Sequence, residues 1–212
     1  MDTNVIGYGS FFHAAQLQHL PDTDASFLGE HQLFYAGRYA MKYIFDAVLS
    51  ATEIKTIWMP LYYCPFVKTW LEKAFDNISY YPIDPFDPNA SINWSQFTTT
   101  DLVLANNFWG VKSHSLPKGE RPVIIEDHSH GWLSTGCRDS TADFCIASLR
   151  KTVPIPLGGI AWKPKNSQSP IAMPNSPTAG KTRRVMTKAW EAVAEAMEKK
   201  AVCAHEKDKG AF

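Results

Sequence analysis

Between residues 32 and 162, short apolar runs rich in β-formers alternate with helix-like segments, and that alternation leaves few folds open. A chain that switches repeatedly between strand and helix periods buries its strands on both faces, which calls for a mostly parallel sheet covered by helices. Strands are expected at 32–35, 55–59, 78–81, 101–105, 122–125, 142–147 and 159–162. An apolar-periodic helix is expected over 39–49, and a second helix-like stretch runs from Pro60 to Phe75. The connection between the last two strands is too short for a crossover helix, so 159–162 is expected to pair antiparallel. The predicted fold is a three-layer α/β/α sandwich with one antiparallel strand.

Bulk properties narrow the function classes. At 212 residues the chain accommodates one well-buried α/β domain. Lys plus Arg (21) balances Asp plus Glu (21), so no electrostatic grip on nucleic acid or an anionic membrane is expected. Cys64, Cys137, Cys145 and Cys203 show neither CxxC spacing nor the density of a disulfide scaffold, and are read as reduced thiols. With no export signal at the N-terminus and no membrane-length apolar run, the expected location is the cytoplasm.

The expected organisation is an N-terminal arm over 1–30, a core over 31–162, a Pro-rich linker or loop over 163–180 and a C-terminal helix over 181–212. Pro164, Pro170, Pro174 and Pro177 mark the linker, and Val185, Met186, Ala189, Trp190, Val193, Ala196 and Met197 line one face of the helix.

Ligands of open α/β sheets bind at the carboxyl ends of the strands, so the residues following each strand carry the chemistry. Gly37 and Arg38 open a helix; Tyr62, Tyr63 and Cys64 follow the second strand; Asn106, Asn107, Phe108 and Trp109 follow the fourth. Glu126-Asp127-His128-Ser129-His130 and Ser148-Leu149-Arg150-Lys151 follow the next two. An acid, a lysine, a serine, aromatics and a glycine-started helix thus converge on one edge. Pyridoxal phosphate (PLP) needs that mixture. Its aldehyde bonds to a lysine amine, its ring nitrogen stays protonated against a carboxylate, and its phosphate suits a helix N-terminus and hydroxyls.

Asp127 within Val-Ile-Ile-Glu-Asp-His-Ser-His-Gly, followed by Ser148-Leu-Arg-Lys151-Thr-Val-Pro-Ile-Pro-Leu-Gly-Gly159, resembles the strand-Asp and Ser-x-x-Lys elements of fold-type-I PLP enzymes. Asp127 with His130 matches the Asp-x-x-(His or Gln) motif of the DegT/DnrJ/StrS-type nucleotide-sugar aminotransferases. Upstream, Ala36-Gly37-Arg38 sits at that family's phosphate-binding helix start, and Met59-Pro60-Leu61-Tyr62-Tyr63-Cys64 is similar to its Pro-x-aromatic turn. The resemblance spans about residues 30–162.

It implies an aspartate-aminotransferase-like large domain, without the small domain that longer members carry, and a homodimer. It implies catalytic roles for Lys151 and Asp127. His130, Ser148, Gly37 and Arg38 would bind the cofactor too, with Tyr62 or Tyr63 stacking on its ring. Transamination would pass an amino group from an amino acid such as glutamate to a keto-sugar nucleotide. Sugar dehydration, or a catalytically weak protein of this fold acting as a binding partner, are the alternatives. No metal is expected: Asp127, His128 and His130 lack the further ligands of a zinc hydrolase, and a Gly-x-Ser-x-Gly nucleophile elbow is absent.

Overall fold

The protein is described by a computed structural model covering residues 26–111, 113–152 and 158–173, together with 188, 191, 192 and 195. Seven strands form one sheet: β1 (His31–Phe34), β2 (Thr56–Pro60), β3 (Ile78–Tyr81), β4 (Asp101–Asn106), β5 (Val123–Asp127), β6 (Phe144–Ala147) and β7 (Gly159–Trp162). Their spatial order is β1-β7-β6-β5-β4-β2-β3. Every neighbouring pair is parallel except the two made by β7, which runs against both β1 and β6. One antiparallel strand in a parallel sheet is what the short connection before residue 159 predicts.

Side-chain alternation on the strands builds two cores. Ile57, Met59, Leu102, Leu104, Ile125, Phe144, Ile146 and Ala161 face one side; Val103, Ala105, Ile124, Cys145, Ala147, Ile160 and Trp162 face the other. The first face is covered by α1 (Gly37–Ala51) and α2 (Pro65–Glu72). Ala40, Met41, Ile44, Phe45 and Val48 recur on one stripe of α1 and are fully buried, each of the larger ones stabilising the fold by ~1.5–3 kcal/mol. The second face is closed by short turns carrying Phe27, Leu28, Ile92 and Phe97, and by the single-turn α3 (Thr135–Arg138), capped by the Ser134 hydroxyl accepting from Cys137 N. The third layer is thus built largely of turns among the described residues.

Element boundaries differ from expectation in local ways. Helix α1 starts at Gly37, two residues before its apolar stripe, because Tyr39 N and Ala40 N already reach Ala36 O. Strand β6 begins at Phe144, since Ser140 and Asp143 make a turn: Ala142 N donates to Ser140 Oγ, and the Asp143 carboxylate accepts from Ile124 N. Of the segment 163–180, residues 163–173 are irregular and return Ile171 and buried Met173 to the α1 face. The arm up to residue 25, Pro174, Pro177, Cys203 and most of the expected helix over 181–212 lie outside the described residues. Among the described residues, no helix is long and apolar enough to cross a membrane.

Candidate cofactor site

The carboxyl ends of β2, β4, β5 and β6 lie side by side, with Asn106 opposite Asp127 and Asp127 opposite Ile146 in register. Strand β1 ends at the same edge and turns directly into α1. The corner is tight. A Cβ on Gly159 would stand 2.4 Å from Ala36 C and 2.6 Å from Gly37 N, and one on Gly37 would stand 2.9 Å from Ser148 Cβ. Glycine at 37 and 159 therefore lets the start of α1, the end of β6 and the start of β7 meet. A further tie joins β5 to β6, as Ser148 N donates to Ser129 Oγ at 2.9 Å.

Above this edge opens a cavity of about 950 Å³. Lys151, Asp127, His130, Ser148, Gly37, Arg38, Tyr62 and Tyr63 all line it. The eight residues named from sequence are thus brought to one place. Asn106, Trp109, Ser129 and Arg150 join them. All four were legible as strand-following positions. A larger cleft of about 1220 Å³ lies at the opposite, amino end of the strands, but its Arg121 and Asp143 are paired with each other and its Asp46 with Lys42.

Asp127 is 3% exposed, and its carboxylate has neutral donors. Ser129 N donates to Oδ1 at 2.8 Å, and the Tyr63 hydroxyl donates to Oδ2 in a short hydrogen bond. Among the described residues, no Lys, Arg or His lies within ion-pair distance of it. A buried carboxylate in such a setting favours a cationic partner. The Tyr63 phenol is pushed well above its ordinary range by burial first and by the Asp127 charge and hydrogen bond next, so it stays protonated as a donor. Tyr62 is exposed and packs edge-on against Phe86 and Phe108. Trp109, held in the left-handed region at φ 64°, places its ring 5.4 Å from that of His130.

Lys151 sits on the short turn Leu149–Lys151 after β6, where its backbone N donates to Ser148 O at 3.1 Å. Its Nζ is 3.1 Å from His130 Nε2 and forms no ion pair among the described residues. Burial, then the Lys151 cation, lower the His130 pKa against a smaller opposing pull from Asp127. The imidazole is accordingly neutral near pH 7 and accepts from the ammonium. The N-terminus of the 15-residue α1 points at the cavity with no side-chain cap and no acid in its first turn. That arrangement suits an anion. Arg38 is exposed, with its guanidinium 5.5 Å from the Tyr39 ring centroid.

The residues fit PLP on these observations: a buried acid without a cation for the ring nitrogen, an amine without a carboxylate for the aldehyde, and an uncapped helix start beside Ser148 for the phosphate.

No family model matches the chain, and no curated protein matches it. Solved structures do, at low identity. AtS13 from Actinomadura melliaura is 15% identical with a TM-score of 0.48, over 64% of this chain and 42% of that one. The putative sugar aminotransferase Spr1654 from Streptococcus pneumoniae, in its PLP form, is 13% identical with a TM-score of 0.49, over 68% and 43%. YbdL from Escherichia coli, described with a methionine aminotransferase function, is 11% identical with a TM-score of 0.46, over 78% and 47%. The chain spans about half the length of the solved structures it matches.

Proposed function

We propose that the chain binds PLP and serves as the cofactor-binding part of an aminotransferase that moves an amino group from an amino acid such as glutamate to a keto-sugar nucleotide. The observation that carries this reading is the meeting, in one cavity, of a buried carboxylate and an amine that, among the described residues, have no ion-pair partner. When bound, PLP supplies an electron sink for the pair left on the substrate carbon as its proton departs. Asp127 keeps the proton on the ring nitrogen, because surrendering it would leave a buried charge unpaired. Lys151 Nζ is the amine that would hold the cofactor by its aldehyde and, once freed by the donor amine, would serve as the base that carries the proton leaving the substrate carbon. His130 Nε2, a neutral acceptor 3.1 Å from that amine, orients it. The α1 N-terminus with Ser148 holds the phosphate, Arg38 adds a positive charge at the rim, and Tyr62 or Trp109 offers a face to the ring. Two copies acting as a homodimer in the cytoplasm complete the reading.

The test is the donor half-reaction. Protein loaded with PLP is given L-glutamate, and the cofactor is extracted and identified. Conversion to the pyridoxamine form supports amino transfer. Bound cofactor that stays in the aldehyde form refutes transfer from this donor and favours the dehydratase or partner-binding alternatives.

A further inference from the structure

On the face of the sheet opposite the one Asp127 turns to, a second cluster of chemistry lies wholly inside the protein. Glu126 and Cys145 stand opposite each other in the β5–β6 register, and His128 follows β5. The carboxylate, imidazole and thiol atoms of Glu126, His128 and Cys145 all fall within 4.8 Å of one another, and all three residues are buried. We propose that these three residues form a binding site for one zinc-class divalent cation.

Charge is the first reason. Glu126 is 3% exposed, and among the described residues no Lys or Arg is within ion-pair distance of it. A carboxyl group buried there either keeps its own proton or faces a cation, and two cations fit the cluster: a protonated His128 or a metal. His128 Nε2 lies 3.3 Å from Glu126 Oε2, yet its geometry makes no hydrogen bond, and this nitrogen is left without one although the residue is 0% exposed. An unbonded imidazole nitrogen aimed at a carboxylate oxygen is the arrangement of two ligands waiting for an ion between them.

The surrounding shell agrees. His128 Nδ1 is 3.2 Å from the Asn107 side-chain amide, and Asn107 Oδ1 is itself buried without a partner. Turning that amide about lets Nδ1–H donate to Oδ1 and leaves the Nε2 lone pair free for a metal. Ser140 Oγ donates to Glu126 Oε2 at 2.5 Å and accepts from Cys145 Sγ at 3.2 Å, so it orients two of the three proposed ligands. A Glu–His pair has no use for a thiol as third member, whereas N, O and S donors together select zinc and cobalt over magnesium and calcium. Without a metal, burial first and the Glu126 charge next keep the Cys145 thiol protonated. Binding would therefore release its proton. All three ligands are buried among the described residues, so the ion would load as the chain folds and act structurally.

Refolding the full chain from denaturant with Co²⁺ or Zn²⁺, with a chelator-treated sample in parallel, tests the site. The expected result is about one equivalent of metal retained per chain after gel filtration. Cobalt should also give a near-ultraviolet thiolate charge-transfer band, lost in Cys145→Ser and retained in Cys137→Ser, and the metal-refolded protein should have the higher thermal midpoint. Wild-type protein that refolds equally well with chelator and retains no metal overturns the proposal, as does a band that survives Cys145→Ser. So does a nitrogen-15 spectrum of the wild type showing both His128 ring nitrogens protonated, which would assign the cation to the imidazole. None of these readouts involves PLP, so the site stands or falls apart from the proposed function.

Discussion

Substituting Tyr63 with Phe removes one hydroxyl and leaves the ring, and the structure sets both the sign and the size of the outcome. In the cofactor-free protein Asp127 accepts from Tyr63 Oη and from Ser129 N. A hydrogen bond to a buried charge is worth ~1.5–3 kcal/mol, so Tyr63→Phe should destabilise the free protein by about that amount. A protonated pyridine ring needs the same carboxylate. If its N–H takes Oδ2, the wild type gives up the tyrosine bond on binding while the variant has none to give up. The variant should therefore bind PLP more tightly, by about tenfold to a hundredfold when that energy is converted at ~1.4 kcal/mol per decade. Because ligand bound to the native state adds to stability, the variant's deficit should shrink when PLP is present. Absorbance titration with PLP and thermal melts with and without it give both quantities. An unchanged or weakened affinity in Tyr63→Phe refutes the competition between hydroxyl and ring for that oxygen.

Gly159→Ala should lower the thermal midpoint and weaken PLP binding together, since the added Cβ meets Ala36 C and Gly37 N at 2.4 and 2.6 Å, backbone that yields only at a cost of ~1–3 kcal/mol or more; a melt indistinguishable from wild type contradicts the tight corner. For His130, the folded pKa lies below 6.5, so the unfolded chain takes up this proton first. Its contribution leaves stability flat above pH 6.5 and lowers it as pH falls from 6.5 through the depressed folded value. Lys151→Ala removes the neighbouring cation and should move the His130 titration, followed by proton NMR, upward toward 6.5; a downward move contradicts the contact.

Much of this was legible in the sequence because burial imposes its own pattern. The run over 102–105 and the run over 122–125 are apolar throughout, and β4 and β5 are buried on both faces in the structure. Strand-end logic then brought Lys151, Asp127, His130 and Ser148 to a single edge without any knowledge of the turns between them. What stayed hidden depends on side-chain direction. Reading Asp127-His128-Ser129-His130 as one cluster merges two sites, because alternation along β5 sends Glu126 to the face of Ile124 and Asp127 to that of Ile125. Cys145 joins Glu126 only through the β5–β6 register, which no local spacing encodes. The two tyrosines were interchangeable by sequence; the structure separates them, giving Tyr63 to the acid and leaving Tyr62 in an exposed aromatic group with Phe86 and Phe108. The second covering layer was expected, but the turns that build it were not placed, because three-residue turns such as Ser26–Leu28 have too few residues to show a period.

Lys151 is the amine proposed to hold PLP by its aldehyde. Protein mixed with PLP, reduced with borohydride and digested for mass spectrometry should carry the reduced cofactor on the peptide containing Lys151, and the Lys151→Ala variant should carry none. A label on other lysines in both proteins, or no label in the wild type, contradicts the account.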